Sequence, residues 1–180
     1  LGVFSLSKDG NYAVCGFSKG GSDWQEYQIM DMKTLQMLSD KIEWVKVSGA
    51  SWQGNGFYYS RYPKPEGSAL AAKNENHQVF YHKVGTSQAA DELVYEDKAN
   101  AQRFNGVYVS EDEQFSFLNI SDRGKGKDGN ALFYRGKGQK EFIPIVSEIT
   151  NFSYGLVDNI PGGFLIETNE NAPNSKVLFY

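Results

Sequence analysis

Cysteine is nearly absent. The 180 residues hold one, Cys15, beside two histidines, three methionines and five prolines. A single cysteine excludes an internal disulfide framework and a cysteine-based zinc site. It lies in "YAVCGF", which reads as a strand, and is expected to pack there as a small apolar residue. Cytoplasm and periplasm both remain open as compartments. Long apolar runs are also missing, so no membrane partner is expected. Positive charge is in deficit, with 18 Lys and Arg against 22 Asp and Glu. The net charge of −4 and a pI near 5.2 argue against a general nucleic-acid binder. The chain opens at Leu1 without methionine or signal-peptide pattern, which suggests an excised segment.

Histidine is scarce too. His77 and His82 flank "QVFY", and a spacing of five does not put both on one strand face. No carboxylate in register and no cysteine completes a metal set around them. Surface or strand-end positions are therefore expected, with no metal and no cofactor.

What the chain has in plenty is aromatic residues, 11 Tyr, 12 Phe and 3 Trp, together with 19 Gly. Aromatics favour strands and glycine favours tight turns, so the pair points to an all-β fold. A unit recurs: a turn cluster, an aromatic strand, a polar loop and a second strand. "SKDGNYAVCGFS" with "EYQIMDM" is the first copy and "WQGNGFYYSRYP" with "QVFYHKVG" the second. "SEDEQFSFLNIS" with "ALFYRG" and "NIPGGFLIETN" with "KVLFY" complete the set. The leading aromatics Tyr12, Phe57, Phe115 and Phe164 are spaced by 45, 58 and 49 residues. Periods of roughly 40–50 residues with several short strands each mark β-propeller blades, here about three to four. The long second interval is taken up by "KPEGSALAAKNENH", read as an extended loop. "WVKVSGASW" and "RFNGVYV" fit as further strands. "SDWQEYQIMDMKTLQML" also suits an amphipathic helix capped by Ser22, but the repeat decides for strand.

Gly16-Phe17-Ser18-Lys19-Gly20 spells the G-x-S-x-G elbow of serine hydrolases. That elbow needs an earlier strand of the same sheet and a helix behind it, and only 17 residues precede Ser18. Ser18 is read as part of a glycine-rich hairpin. "DRGKGKDGN" lacks the Gly-Lys-Ser/Thr ending of a phosphate loop and precedes a strand rather than a helix. It is read as a charged hairpin loop. Taken from the residues alone, the chain carries no catalytic constellation, and its function is binding, gating or scaffolding.

The wording of several segments is more specific. "GGSDWQEYQIMD", "WVKVSGASW" leading to "GNGFYYSRYP", "HQVFYHKVGT", "DELVYE" and "VYVSEDEQF" resemble, in order and spacing, the propeller of the prolyl oligopeptidase family of serine peptidases. The resemblance covers nearly all of residues 1–180 and is weakest after about residue 135. It implies that residues 1–180 are a partial propeller, from the middle of a seven-bladed one. It also implies a catalytic α/β-hydrolase domain, carrying a Ser-Asp-His triad, outside this chain. Implied partners are that hydrolase domain and proline-containing oligopeptides, which members cleave after proline. Asp23 falls on the family aspartate of "GSDW", which pairs with a hydrolase-domain arginine as an interdomain latch. Val47 matches a position that is often a cavity-facing phenylalanine, and Phe104 a cavity-lining apolar position, so the subsite at Val47 is expected to be wide. Ser121 stands where members commonly have an arginine that holds the substrate backbone. Arg123, two residues on, takes that role if the strand ends early. A non-enzymatic propeller scaffold and a related oligopeptidase of different specificity remain alternatives. An isolated segment of this kind is expected to self-associate through open blade edges.

Overall fold

The computed structural model describes residues 2–18, 20–65, 73–122 and 126–180. Arg123 lies outside the described residues, as does much of the segment read as an extended loop. The chain forms two compact units, Leu1–Gln102 and Arg103–Tyr180.

In the first unit, β1 (Val3–Leu6), β2 (Tyr12–Ser18), β3 (Gln25–Asp31) and β4 (Gln36–Val45) make an antiparallel meander. A second meander follows, with β5 (Ser51–Gln53), β6 (Gly56–Arg61), β7 (Gln78–Lys83) and β8 (Glu92–Tyr95). Among the described residues a single pairing, Val45 with Arg61, joins the two ladders. Side chains therefore hold this seam. Val14, Tyr27, Ile29, Ile42 and Val45 from the first meander pack with Trp52, Phe57, Tyr59 and Phe80 from the second. Strand alternation produces this core: Tyr27 and Ile29 point inward from β3 while Glu26, Gln28 and Met30 face the other side.

The second unit holds β9 (Arg103–Val109), β10 (Phe115–Asp122), β11 (Asn130–Gly136) and β12 (Ile143–Val146) in one four-stranded sheet. A three-stranded sheet of β13 (Tyr154–Ile160), β14 (Gly163–Thr168) and β15 (Lys176–Phe179) packs with it through Phe117, Leu132, Tyr154, Phe164 and Ile166. Each repeat found in the sequence thus covers the second and third strands of one meander. The segment open to a helical reading is the β3–β4 hairpin.

One turn is built twice. Ser7 Oγ donates to Asp9 Oδ1 at 2.7 Å and accepts from Tyr12 N–H at 2.9 Å, while Asn11 N–H donates to Asp9 Oδ1 at 3.0 Å. Ser110, Asp112, Gln114 and Phe115 repeat the pattern at 2.7, 3.0 and 3.0 Å. The fourth position is left-handed in both, Gly10 at φ 71° and Glu113 at φ 59°.

"WVKVSGASW" is not one strand. β4 ends at Val45 and β5 begins at Ser51. Between Tyr27 and Gln25 the pairing steps two residues on β3 against three on β4, so β4 bulges at Glu43–Trp44, and Trp44 takes φ 64°. Val47 follows at φ 53°. The loop is then anchored by Tyr27, whose hydroxyl donates to the Ser48 carbonyl at 2.9 Å. Ser48 Oγ accepts from the Ser60 N–H at 2.8 Å.

Candidate functional site

The β2–β3 hairpin ends in Ser22-Asp23-Trp24, where the Trp24 N–H donates to Ser22 Oγ at 3.1 Å. Ser18 is the last residue of β2, opposite Gln25. A strand-to-strand connection follows it, not the strand-to-helix turn of a nucleophile elbow. The Asp23 side chain is 80% exposed and stands 3.4 Å from Lys46 Nζ. The Lys46 ammonium also sits 5.1 Å over the Trp24 ring. Trp24 meets Trp44 and Tyr62 edge-on at 5.8 and 6.1 Å. The β4 bulge is what turns Trp44 onto Trp24. A cleft of about 240 Å³ opens beside them, lined by Phe17, Trp24, Glu26, Glu43 and Trp44. Lys41 bridges its two carboxylates, 3.1 Å from Glu26 and 2.8 Å from Glu43.

His77 supports this cluster from the next meander. Its ring packs on Tyr62 at 4.6 Å, and Nε2 lies 3.0 Å from the Lys46 carbonyl, to which it donates as a neutral imidazole. Burial drives its pKa down to about 4, against the weaker opposing pull of that carbonyl.

His82 differs from expectation as well. Both histidines are buried rather than at a surface, and His82 has two carboxylate neighbours. Nδ1 is 2.7 Å from Asp91 and Nε2 is 3.0 Å from Asp40. Asp40 lies 42 residues upstream on β4, so a search in local register misses it. Burial lowers the His82 pKa, but Asp91 and then Asp40 outweigh it and raise the group above its ordinary value.

Val47 is neither strand nor core: it is 54% exposed in the loop after β4. Phe104, the second residue of β9, is half-buried and directly opposite Ser121 of β10. Two of the family positions read from the sequence are thereby cross-strand neighbours on one face. Arg103 beside them pairs with Asp122 at 3.1 Å.

The model of the prolyl oligopeptidase N-terminal β-propeller domain matches residues 1–179. The prolyl endopeptidase of Elizabethkingia miricola is 34% identical over 181 residues, spanning 99% of this chain and 25% of that protein. Prolyl oligopeptidase B from Galerina marginata, solved as the apo protein, superposes with a TM-score of 0.87 at 28% identity, over 99% of this chain and 26% of that one. The same enzyme bound to a 25mer macrocyclization substrate gives 0.88 at 27% identity, over 98% and 26%. The chain spans about a quarter of the length of these relatives. This chain belongs to the prolyl oligopeptidase family, as part of its N-terminal β-propeller domain.

Proposed function

We propose that the protein containing this chain is a serine peptidase that cleaves short peptides after proline, and that this propeller segment screens what reaches the catalytic centre. The observation that carries the reading is the 34% identity to a prolyl endopeptidase over 99% of the chain. Its partners are a hydrolase domain of the same protein and proline-containing oligopeptides.

Asp23 is the interdomain latch. Its exposed carboxylate, held by Lys46 at 3.4 Å among the described residues, can accept an arginine from the hydrolase domain. An exposed pair of this kind is worth roughly 0–1 kcal/mol, enough to bias opening and too little to lock it. Val47 in the first unit and Phe104 in the second are each assigned a substrate-facing role, with Val47 leaving a wide subsite where an aromatic would narrow it. The substrate-holding role of Arg123 rests on the resemblance alone. Among the described residues β1 pairs only with β2 and β15 only with β14, so the isolated segment carries open strand edges through which it self-associates.

The test is hydrolysis by the whole protein of three substrates: an amino-blocked Gly-Pro amide, a blocked Arg amide and a dipeptide amide with a free amino end. Turnover of the blocked Gly-Pro substrate alone supports the reading. Preference for either of the others moves the protein to a sister specificity, and no turnover of any leaves a binding scaffold.

A further inference from the structure

The seam between the two meanders of Leu1–Gln102 has one backbone pairing, and a buried polar cluster crosses it. Asp40 comes from β4, Tyr59 from β6, His82 from β7, and Asp91 from the residue between the short 3-10 helix Gln88–Ala90 and β8. The side chains of Asp40, His82 and Asp91 are sealed from solvent. The partners are well defined. Asp91 holds His82 Nδ1 at 2.7 Å through Oδ1 and accepts from the Tyr59 hydroxyl at 2.7 Å through Oδ2. Asp40 Oδ1 faces His82 Nε2 at 3.0 Å and accepts from the Gly85 N–H at 2.6 Å. Asp40 Oδ2 is buried without a hydrogen-bond partner. Arg61 of β6, over the Phe80 ring, acts on Tyr59, and the uncharged Gln88 bonds the Glu43 backbone at 3.1 and 3.0 Å and donates to the Tyr59 hydroxyl at 3.4 Å.

A neutral imidazole has one N–H and satisfies one carboxylate only. The other ring nitrogen would then turn a lone pair on a carboxylate at hydrogen-bond distance, both groups being sealed from bulk solvent. The imidazolium satisfies both. We propose that the His82 proton is a clamp across this seam: held, it ties β4 to β7, and released on the alkaline side, it lets β4 part from the second meander.

The sign follows from the direction of the shift. His82 is raised above 6.5, so the clamp is fully engaged below that pH and is lost as pH rises through the higher folded value. His77, lowered to about 4, stays neutral over the same range and contributes nothing to the alkaline change. The clamp requires no peptidase activity.

The experiment is amide hydrogen exchange of the full-length protein between about pH 6 and about pH 9.5, corrected for the intrinsic rates. The segments read are residues 36–45 and 78–85. In the wild type, protection there should fall by about tenfold or more with a single midpoint. His82→Gln should start less protected and show no such midpoint. Asp40→Asn keeps an acceptor for the Gly85 N–H while removing one carboxylate, so it should fold and move the midpoint to lower pH. Protection that is flat with pH in the wild type, or that falls in parallel in His82→Gln, overturns the clamp. If His82→Gln does not fold, an unmoved midpoint in Asp40→Asn overturns it equally.

Discussion

His77 Nε2 lies 3.0 Å from the main-chain carbonyl of Lys46, the residue whose ammonium holds Asp23. A buried neutral imidazole therefore fixes the backbone from which the Asp23 partner projects. Its pKa is lowered to about 4 from 6.5, so the folded state resists protonation where the unfolded chain takes it up. The stability this provides is complete above 6.5 and is lost as pH falls toward 4, on the order of 3 kcal/mol in all. Denaturant unfolding of the wild type and His77→Gln at neutral pH and near pH 4.5 checks it. The difference between the two proteins should shrink on the acid side, and a constant difference would remove the role.

Lys46 and the hydrolase domain compete for one carboxylate in the latch proposal. Asp23→Ala should change unfolding stability by no more than about 1 kcal/mol, because its carboxylate is largely exposed to solvent. It should nonetheless speed domain opening and the exchange of large substrates in the whole protein. Lys46→Met keeps an apolar stem over Trp24 and frees Asp23, so it should slow opening at a cost of about 0.5–1 kcal/mol in lost cation–π attraction. Interface hydrogen exchange reads both, and the same opening rate in all three proteins would dismiss Asp23 as a latch.

The paired turns give an asymmetric expectation. Gly10 and Glu113 occupy the same left-handed position, φ 71° and 59°, in turns with the same Ser–Asp hydrogen bonds. Gly10→Ala should destabilise by about 1–2 kcal/mol, since a Cβ is disfavoured there. Glu113→Gly relieves that strain but frees the unfolded chain, and should lie between neutral and about 1 kcal/mol stabilising. Denaturant midpoints decide, and a neutral Gly10→Ala would show that the turn relaxes to another form.

Phe104 faces Ser121 across β9 and β10, and its proposed role is contact upstream of the scissile proline. Phe104→Ala should reduce kcat/KM for longer peptides more than for a blocked Gly-Pro amide, by about tenfold if roughly one apolar contact is lost. Val47→Phe should penalise bulky upstream residues specifically. Equal effects on short and long substrates would count against both positions.

The strands easiest to see in the sequence are the central ones. β6 is buried on both faces but for its last residue, and "GFYYSR" announces it. The fourth strands are harder to find. β8 "ELVY" and β12 "IPIV" are short, half-exposed and without a leading aromatic turn. The turn that carries Asp23 is legible because "GSDW" is local wording. The Asp40–His82–Asp91 cluster is not. Asp40 sits in "LSDKIEW" of β4 with charged Lys41 and Glu43 close by, and only the fold brings it to a histidine 42 residues away. The break in "WVKVSGASW" after Val45 has no signature in residue type, because β-branched residues such as Val47 rarely take φ near 53°.

Substrate length tests the central claim most directly. Turnover by the whole protein would be measured on a ladder of proline-containing peptides with one cleavage sequence, from a blocked Gly-Pro amide to an unfolded protein. Efficient cleavage of short members and a steep loss with length is the expected result, because a propeller admits only what passes it. Cleavage independent of length, or none of the short members cut, would contradict the account.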